Sequence, residues 1–413
     1  MKRSTLFSAI GIVAVAGVTV FASQAARQPL FTAAAAQTAR AADASYSALA
    51  GDRATVGLQL VQADASQIAD TAESLQLSIG GGDLVARKTS FIRNQDGTQV
   101  WQGQLGKDPG LLGRLANRVG GEIENDPNNS VIIVRNGDKL TGTLRVDGDL
   151  YALRPLRSGG HAIARIDESR MPADHPAEYA LLPKIQMPQP ISTKAISTIR
   201  VMVVSTQSAA AASGDIVGLV NLAVAESNTG YANSGVEINL QLAGSYTTTY
   251  VESGSFSTDL TRFRGTTDGF MDTYHTTRNT VAADVMMLLI NNASSCGLAS
   301  GIGSTATTAF AVAHYGCATG YYSFAHEIGH LQSARHDIAT DPTLTPYAYG
   351  HGFRSPTNAW RTIMAYNCTT GCPRINYWSN PAKTYLGQAM GNTTRAHNQR
   401  VLNTTKAAIA AFR

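Results

Sequence analysis

The stretch Ala325-His-Glu-Ile-Gly-His-Leu-Gln-Ser-Ala-Arg-His-Asp337 decides how the rest of the chain is read. On a helix, His326 and His330 stand four residues apart, so both imidazoles project from one face about one turn apart. That spacing suits two nitrogens meeting one Zn²⁺ at about 2.0–2.1 Å each. Glu327 then lies beside the metal without binding it, where it accepts a proton from a water whose pKa the metal lowers toward ~7. His336 follows six residues after His330, so the chain must leave the helix and turn back to supply a third ligand. A fourth position stays open, which separates a catalytic zinc from a closed structural one. The five-residue HExxH pattern also arises by chance on ordinary helices; the third His, with Asp337 directly after it, argues against chance here. Asp337 is expected to orient the turn or to support a ligand from behind.

Upstream of this stretch, strand and helix alternate. Ile199–Ser205 reads as a buried strand, Gly214–Ser227 as a helix, Val236–Leu242 as a strand, Ser257–Thr280 as one helix and Asp284–Ile290 as a second buried strand. That order predicts an α/β layer with a mostly parallel sheet. Further back, Val131–Arg135, Lys139–Val146 and Leu150–Leu156 are β-rich runs separated by Asn136-Gly137-Asp138 and Asp147-Gly148-Asp149, which predicts an antiparallel meander. Thr32–Ala50 is Ala-rich and of low complexity, and Leu181–Thr193, with three prolines, reads as an extended connector.

At the amino end, Lys2 and Arg3 precede an uncharged apolar run from Leu6 to Ala22, with Ser23 and Ala25 at −3 and −1 of a cleavage site after Ala25. This layout is that of an export signal, such as bacteria use, and a secreted product is expected. No later segment is apolar enough to span a bilayer. The chain holds 413 residues with a formal charge of +4, and no Lys/Arg run points to nucleic acid. Four cysteines are too few for a disulfide framework but enough for one or two bridges in an oxidising compartment.

HEIGHLQSARHD resembles the zinc motif of the metzincins, HExxHxxGxxH(D), and Thr362-Ile-Met-Ala-Tyr366 is similar to the Met-turn that accompanies it. The resemblance implies an α/β (α+β) catalytic domain with a twisted mixed sheet and a zinc-binding active-site helix, holding one catalytic Zn²⁺ on His326, His330 and His336. It implies Glu327 as the catalytic base, Met364 as the apolar floor under the metal, and Tyr366 as a group that stabilises the oxyanion. Within the metzincins the chain is most similar to bacterial peptidyl-Asp metalloendopeptidases, through Cys296-Gly-Leu-Ala-Ser300, Trp360–Asn367 and Cys368-Thr-Thr-Gly-Cys-Pro-Arg-Ile-Asn376 with Ser379-Asn-Pro381. The order implied is signal peptide 1–25, β-rich propeptide 26–193 and catalytic domain 194–413, with the propeptide as an intramolecular inhibitor. One position departs from the motif: Ser333 stands where the family has Gly, and a non-Gly residue at positive φ costs on the order of 1 kcal/mol.

From Pro342 to Arg413 there are eight basic residues and no Asp or Glu. In the family the segment after the Met-turn walls the pocket for the residue following the scissile bond, and an electropositive wall there favours an acidic side chain. Arg374 is the first candidate to pair the substrate carboxylate, with Arg361 and Arg354 behind it. The four cysteines allow three pairings; Cys296–Cys317 and Cys368–Cys372 are expected, with a CxxxC metal site as the rival for the second. With no cysteine upstream, a propeptide cannot block the metal with a thiolate, and Asp174 and His175 in Met171-Pro-Ala-Asp-His-Pro176 are candidates to do so instead. The substrate is expected to lie along a sheet-edge strand near Gly297–Gly303 or Ala309–His314. The activity expected is therefore that of a secreted, monomeric zinc endopeptidase made as a zymogen, acting on protein or peptide substrates on the amino side of Asp. A metzincin of other specificity, a zinc amidase or deamidase, and a catalytically silent zinc-stabilised binding module remain as alternatives.

Overall fold

The computed structural model describes residues 28–34, 43–106, 121–188 and 195–413; the export signal expected at 1–25, and the end of the connector at 189–193, lie outside them. The N-terminal half carries β1 (Phe31–Ala33), α1 (Ala44–Gly51), β2 (Thr55–Ala63), β3 (Ser74–Ile79), β4 (Gly82–Arg93), β5 (Gln99–Leu105), β6 (Ser130–Asn136), β7 (Lys139–Val146), β8 (Asp149–Pro155) and β9 (His161–Ile166). The nine strands form one antiparallel sheet in the order β1-β2-β9-β8-β7-β6-β5-β4-β3. The expected meander is its centre, with β6 paired to β7 and β7 to β8. Alternating apolar residues such as Trp101, Ile133, Leu144 and Leu153 build the core on one face of it.

The C-terminal half begins with β10 (Ser197–Thr206), α2 (Gln207–Ser213), α3 (Ile216–Ser234), β11 (Ile238–Thr248), α4 (Phe256–Arg264), α5 (Thr273–Thr280), β12 (Val285–Ile290), β13 (Gly297–Ala299) and β14 (Phe310–His314). Its five strands run in the order β11-β10-β12-β14-β13. β10 is parallel to β11 and β12, β12 is parallel to β14, and only β13 runs antiparallel. The mostly parallel sheet expected from the alternation is present. Every residue of β12 is buried, as a strand covered on both faces requires. The chain ends with α6 (Tyr315–Ala318), α7 (Ser323–Leu331), a two-stranded ribbon of β15 (Asn380–Tyr385) and β16 (Gln388–Met390), and α8 (Asn398–Ile409).

Three local expectations are corrected. The single helix expected over Ser257–Thr280 is two, α4 and α5, because Gly265 ends the first and the Asp272 carboxylate accepts the N–H groups of Asp268 and Gly269 in the turn between them. The helix expected to stop at Ser227 continues to Ser234. Asn228 in its continuation looks polar enough to end a helix, but it exchanges two hydrogen bonds with the backbone of Leu240 on β11 (2.9 and 2.7 Å). Ala309–His314 is an internal strand flanked by β12 and β13, so of the two expected segments it is Gly297–Gly303 that lies at an edge.

α3 explains how the halves meet. Leu219, Val220 and Ala223 face the core of the mixed sheet, while Leu222 and Ala225 pack on Val100, Ile132 and Val134 of the antiparallel sheet. One helix with apolar residues all round is thus buried between two sheets. Polar contacts add to this: Arg145 Nη2 donates to the Gly320 carbonyl at 3.0 Å, and Arg154 Nη2 to Thr319 Oγ1 at 2.7 Å. Both arginines brace the loop that leads into α7.

Candidate active site

α7 carries His326, Glu327 and His330, and all nine of its residues are buried. It ends as a Schellman turn: Ser333 N–H donates to the His330 carbonyl (2.9 Å) and Ala334 N–H to the Gly329 carbonyl (2.9 Å). Ser333 sits at φ +71, so the position where the metzincin motif has Gly does adopt the left-handed conformation, and a serine carries it. The turn sends the chain back so that His336 joins the helix pair. The three Nε2 atoms stand 3.0, 3.0 and 3.2 Å from one another.

The remaining ring nitrogens settle the tautomers. His326 Nδ1 lies 2.9 Å from the Ile363 carbonyl and His330 Nδ1 2.8 Å from the Ala334 carbonyl. A carbonyl only accepts, so each Nδ1 carries the proton and each Nε2 presents a lone pair. Burial holds the His326, His330 and His336 imidazoles well below their usual range, so they are neutral. Lone pairs converging at about 3 Å repel unless a cation lies among them. Their spacing is close to the ~3.3 Å edge of a tetrahedron with 2.0–2.1 Å arms, and carbonyl-anchored imidazoles are the usual support of a zinc ligand. The donor set therefore fits a zinc ion.

Met364 is fully buried beneath the helix; a Cβ at Gly329 would lie 3.1 Å from its Sδ and 2.7 Å from the Trp378 ring. Ile363, its neighbour, is the residue whose carbonyl anchors His326. Asp337 joins the two segments: its Oδ2 accepts the Tyr366 N–H at 3.1 Å, and its carboxylate pairs with Arg354. Arg354 is thereby engaged by a carboxylate of its own chain. Glu327 lies under the edge strand, where a side chain at position 297 would collide with its carboxylate, 2.2 Å from the nearest oxygen. Burial lifts the Glu327 carboxyl to about 8, and Oε2 has no hydrogen-bond partner. Tyr366 lies against His336 with ring centroids 4.5 Å apart, and burial pushes its phenol upward, so it stays a proton donor.

Arg374 is fully buried. Its Nη1 donates to the Tyr321 carbonyl (3.0 Å), its guanidinium lies 4.1 Å over the Tyr321 ring, and Nη2 reaches both carboxylate oxygens of Asp174 (2.9 and 2.8 Å). Arg361, also buried, is held by the carbonyls of Cys372 and Ala365 and by Glu168 at 3.5 Å. The disulfides are Cys296–Cys317 and Cys368–Cys372, the pairing expected, and the CxxxC metal site is thereby excluded. The first ties the edge strand to the segment before α7, and the second braces the loop after Met364.

Some members of the site come from far upstream. His175 stands within hydrogen-bonding range of Tyr366 Oη (Nδ1, 3.1 Å) and beside Glu327 Oε1 (Nε2, 3.1 Å). With His326, His330 and His336 it forms a buried group whose donor atoms all lie within 4.8 Å of one another. Tyr179 stacks on His336 at 4.3 Å and donates to Asp341, while Glu168 accepts the Arg374 N–H and pairs with Arg145. Asp174 and His175 were visible as candidates in a proline-flanked hexapeptide. Glu168 and Tyr179 carried no local signal, because their role depends on where a distant segment docks.

Residues 195–379 match the metallopeptidase family M12 model Reprolysin_5. The chain is 50% identical to the peptidyl-Asp metalloendopeptidase of Xanthomonas campestris pv. campestris, over 100% of both chains. It is 55% identical to the protein of that name from Stenotrophomonas maltophilia strain K279a, over 87% of each. A third, from Pseudomonas fragi, is 54% identical over 46% of this chain and 100% of its own length. The chain belongs to the M12 metallopeptidase family, in the group of the peptidyl-Asp metalloendopeptidases, and is a metalloendopeptidase.

Proposed function

We propose that this metalloendopeptidase is exported, is made as a zymogen with residues 26–193 as inhibitory propeptide and 194–413 as catalytic domain, and cleaves on the amino side of Asp. The observation that carries the specificity is the buried Arg374 guanidinium, which holds a carboxylate beside the imidazole cluster. A buried cation with a preformed place for two carboxylate oxygens selects an acidic side chain and rejects an apolar one, which would leave the charge unpaired. Export is supported by the signal-like sequence of residues 1–25 and by two disulfides.

His326, His330 and His336 would hold one zinc ion, whose Lewis acidity makes water a stronger acid and polarises a peptide carbonyl. The substrate backbone lies along the Gly297–Gly303 edge, using the N–H groups of Cys296, Gly297 and Ile302. Glu327 takes the proton of the attacking water on its carboxylate and passes it to the leaving amine nitrogen. A carboxyl raised toward neutrality by burial suits a group that must both accept and release a proton. Tyr366 donates its phenolic hydrogen to the developing oxyanion.

The test is a digest of a denatured protein mixture by mature enzyme, with the new termini read by mass spectrometry. Cuts are expected to cluster before Asp and to stop when a chelator is added. Glu327→Gln is expected to lower the rate by about 10²–10⁴-fold with one zinc still bound, and Arg374→Ala to lower cutting before Asp by about 10²-fold relative to other sites. Cuts by the unaltered enzyme before large apolar residues would refute the role of Arg374.

A further inference from the structure

Residues 173–185 cover the edge strand. Cys296 N–H donates to the Ala173 carbonyl (2.8 Å), Gly297 N–H to the Asp174 carbonyl (3.0 Å), Ile302 N–H to the Pro183 carbonyl (2.8 Å), and Ile185 N–H to the Ile302 carbonyl (2.7 Å). The bridges Ala173–Ser295 and Lys184–Ile302 are both parallel. Pro172 and Pro176 flank the dipeptide Asp174-His175, restricting the backbone around it to extended conformations. Both of its side chains are buried and point at functional groups: Asp174 at Arg374, His175 at Glu327 and Tyr366.

We propose that Asp174-His175 is a two-part plug that keeps the full-length chain latent: His175 is a fourth ligand to the zinc ion, and Asp174 is a decoy carboxylate in the Arg374 pocket. This rests on reading the site as a zinc peptidase with a pocket for an acidic side chain. His175 Nε2 is buried and stands 3.1 Å from Glu327 Oε1 without an aligned hydrogen bond, and its ring centroid stands 4.6–5.0 Å from those of His326, His330 and His336. Tyr366 Oη orients that ring through Nδ1. Three imidazoles leave the open position that catalysis needs; four close the tetrahedron, as in a structural site. The same imidazole takes the side of the cluster that Glu327 faces, where a water would otherwise stand.

The charge distribution supports the second part. No acidic residue follows Asp341 in the chain, so the buried Arg361 and Arg374 draw their carboxylates from Glu168 and Asp174, upstream of the connector. When that segment leaves, Arg374 keeps the Tyr321 carbonyl but loses its counter-charge, a costly state that an incoming acidic side chain relieves. Asp174 already occupies the pocket of an enzyme that cuts before Asp, yet the Ala173 carbonyl is turned onto the edge strand by its bond to Cys296 N–H. The bond such an enzyme would cut is thus aimed away from the imidazole cluster.

Zinc K-edge absorption of the full chain, of mature enzyme and of full-chain His175→Ala tests the ligation directly. We expect a shell of four imidazoles in the full chain, and three plus one oxygen in the other two. Identical spectra for full chain and mature enzyme would overturn the plug, and that comparison needs no variant to fold. Initial rates on a short Asp-containing peptide, with intact mass checked to exclude processing, test the rest. Full-chain His175→Ala and Asp174→Ala are each expected to exceed the unaltered chain by at least tenfold; an Asp174→Ala chain as silent as the parent would overturn the decoy. If mature enzyme binds no zinc or does not prefer Asp, the underlying functional reading fails instead, and the two failures are distinct.

Discussion

Ser333 shows how a single residue can depart from a motif and keep its geometry. The Schellman turn requires a left-handed residue after α7, and Ser333 takes φ +71 at the expense of a Cβ clash that Gly would not have. Its hydroxyl is buried without a hydrogen-bond partner, against Gly303. Ser333→Gly removes both penalties while freeing the unfolded chain, so a net stabilisation of up to about 1 kcal/mol is expected in denaturant unfolding. A loss of stability would mean that the serine side chain packs better than its strained backbone suggests. The histidine pair and Glu327 were legible at this scale because helical periodicity alone puts His326 and His330 on one face. The tautomers were not, since the Ile363 carbonyl comes from a distant segment and the Ala334 carbonyl is aimed at His330 only by the turn that ends α7.

At the scale of the element, α7 is positioned by what lies beneath it. Gly329, between the two histidines, allows the Trp378 ring and Met364 Sδ to approach the helix backbone directly. Gly329→Ala would place a methyl group 2.7 Å from that ring and 3.1 Å from that sulfur, and the closer neighbour is a rigid, fully buried indole. A cost of about 1–3 kcal/mol is expected from overpacking, with metal retention weakened by about 10–100-fold as His326 and His330 tilt. Chelator competition and thermal unfolding measure the two effects; unchanged metal affinity would show that the floor does not set ligand geometry. The strands were readable because their runs are apolar and bounded by turn residues. The break between α4 and α5 was not, because polar residues with scattered apolar positions continue through it, and only Gly265 and the turn held by the Asp272 carboxylate mark the stop.

For the whole molecule, the two halves share α3, the arginine contacts to Thr319 and Gly320, and a close approach at Gly214. That glycine lies at φ +73, and a Cβ there would fall 1.9 Å from the Pro155 carbonyl oxygen. Gly214→Ala is therefore expected to cost the full chain more than about 2 kcal/mol, but only about 1 kcal/mol once the N-terminal half is removed, when backbone strain alone remains. Equal losses in the two forms, measured by denaturant unfolding, would show that this contact does not contribute to docking. The basic C-terminal stretch changes meaning at this scale. Two of its arginines are buried, and their counter-charges lie about 200 residues upstream.

The helix, the three histidines, Glu327 beside them and the parallel sheet were determined by local sequence, because periodicity, turn residues and histidine spacing all act within a few residues. The occupant of the Arg374 pocket and the fourth imidazole beside Glu327 were decided only by the tertiary structure. Asp174 and His175 acquire their partners when β-bridges to the Gly297–Gly303 edge dock a proline-flanked segment across the site. No pattern of spacing encodes that docking; it depends on the buried apolar surface of two sheets meeting around α3.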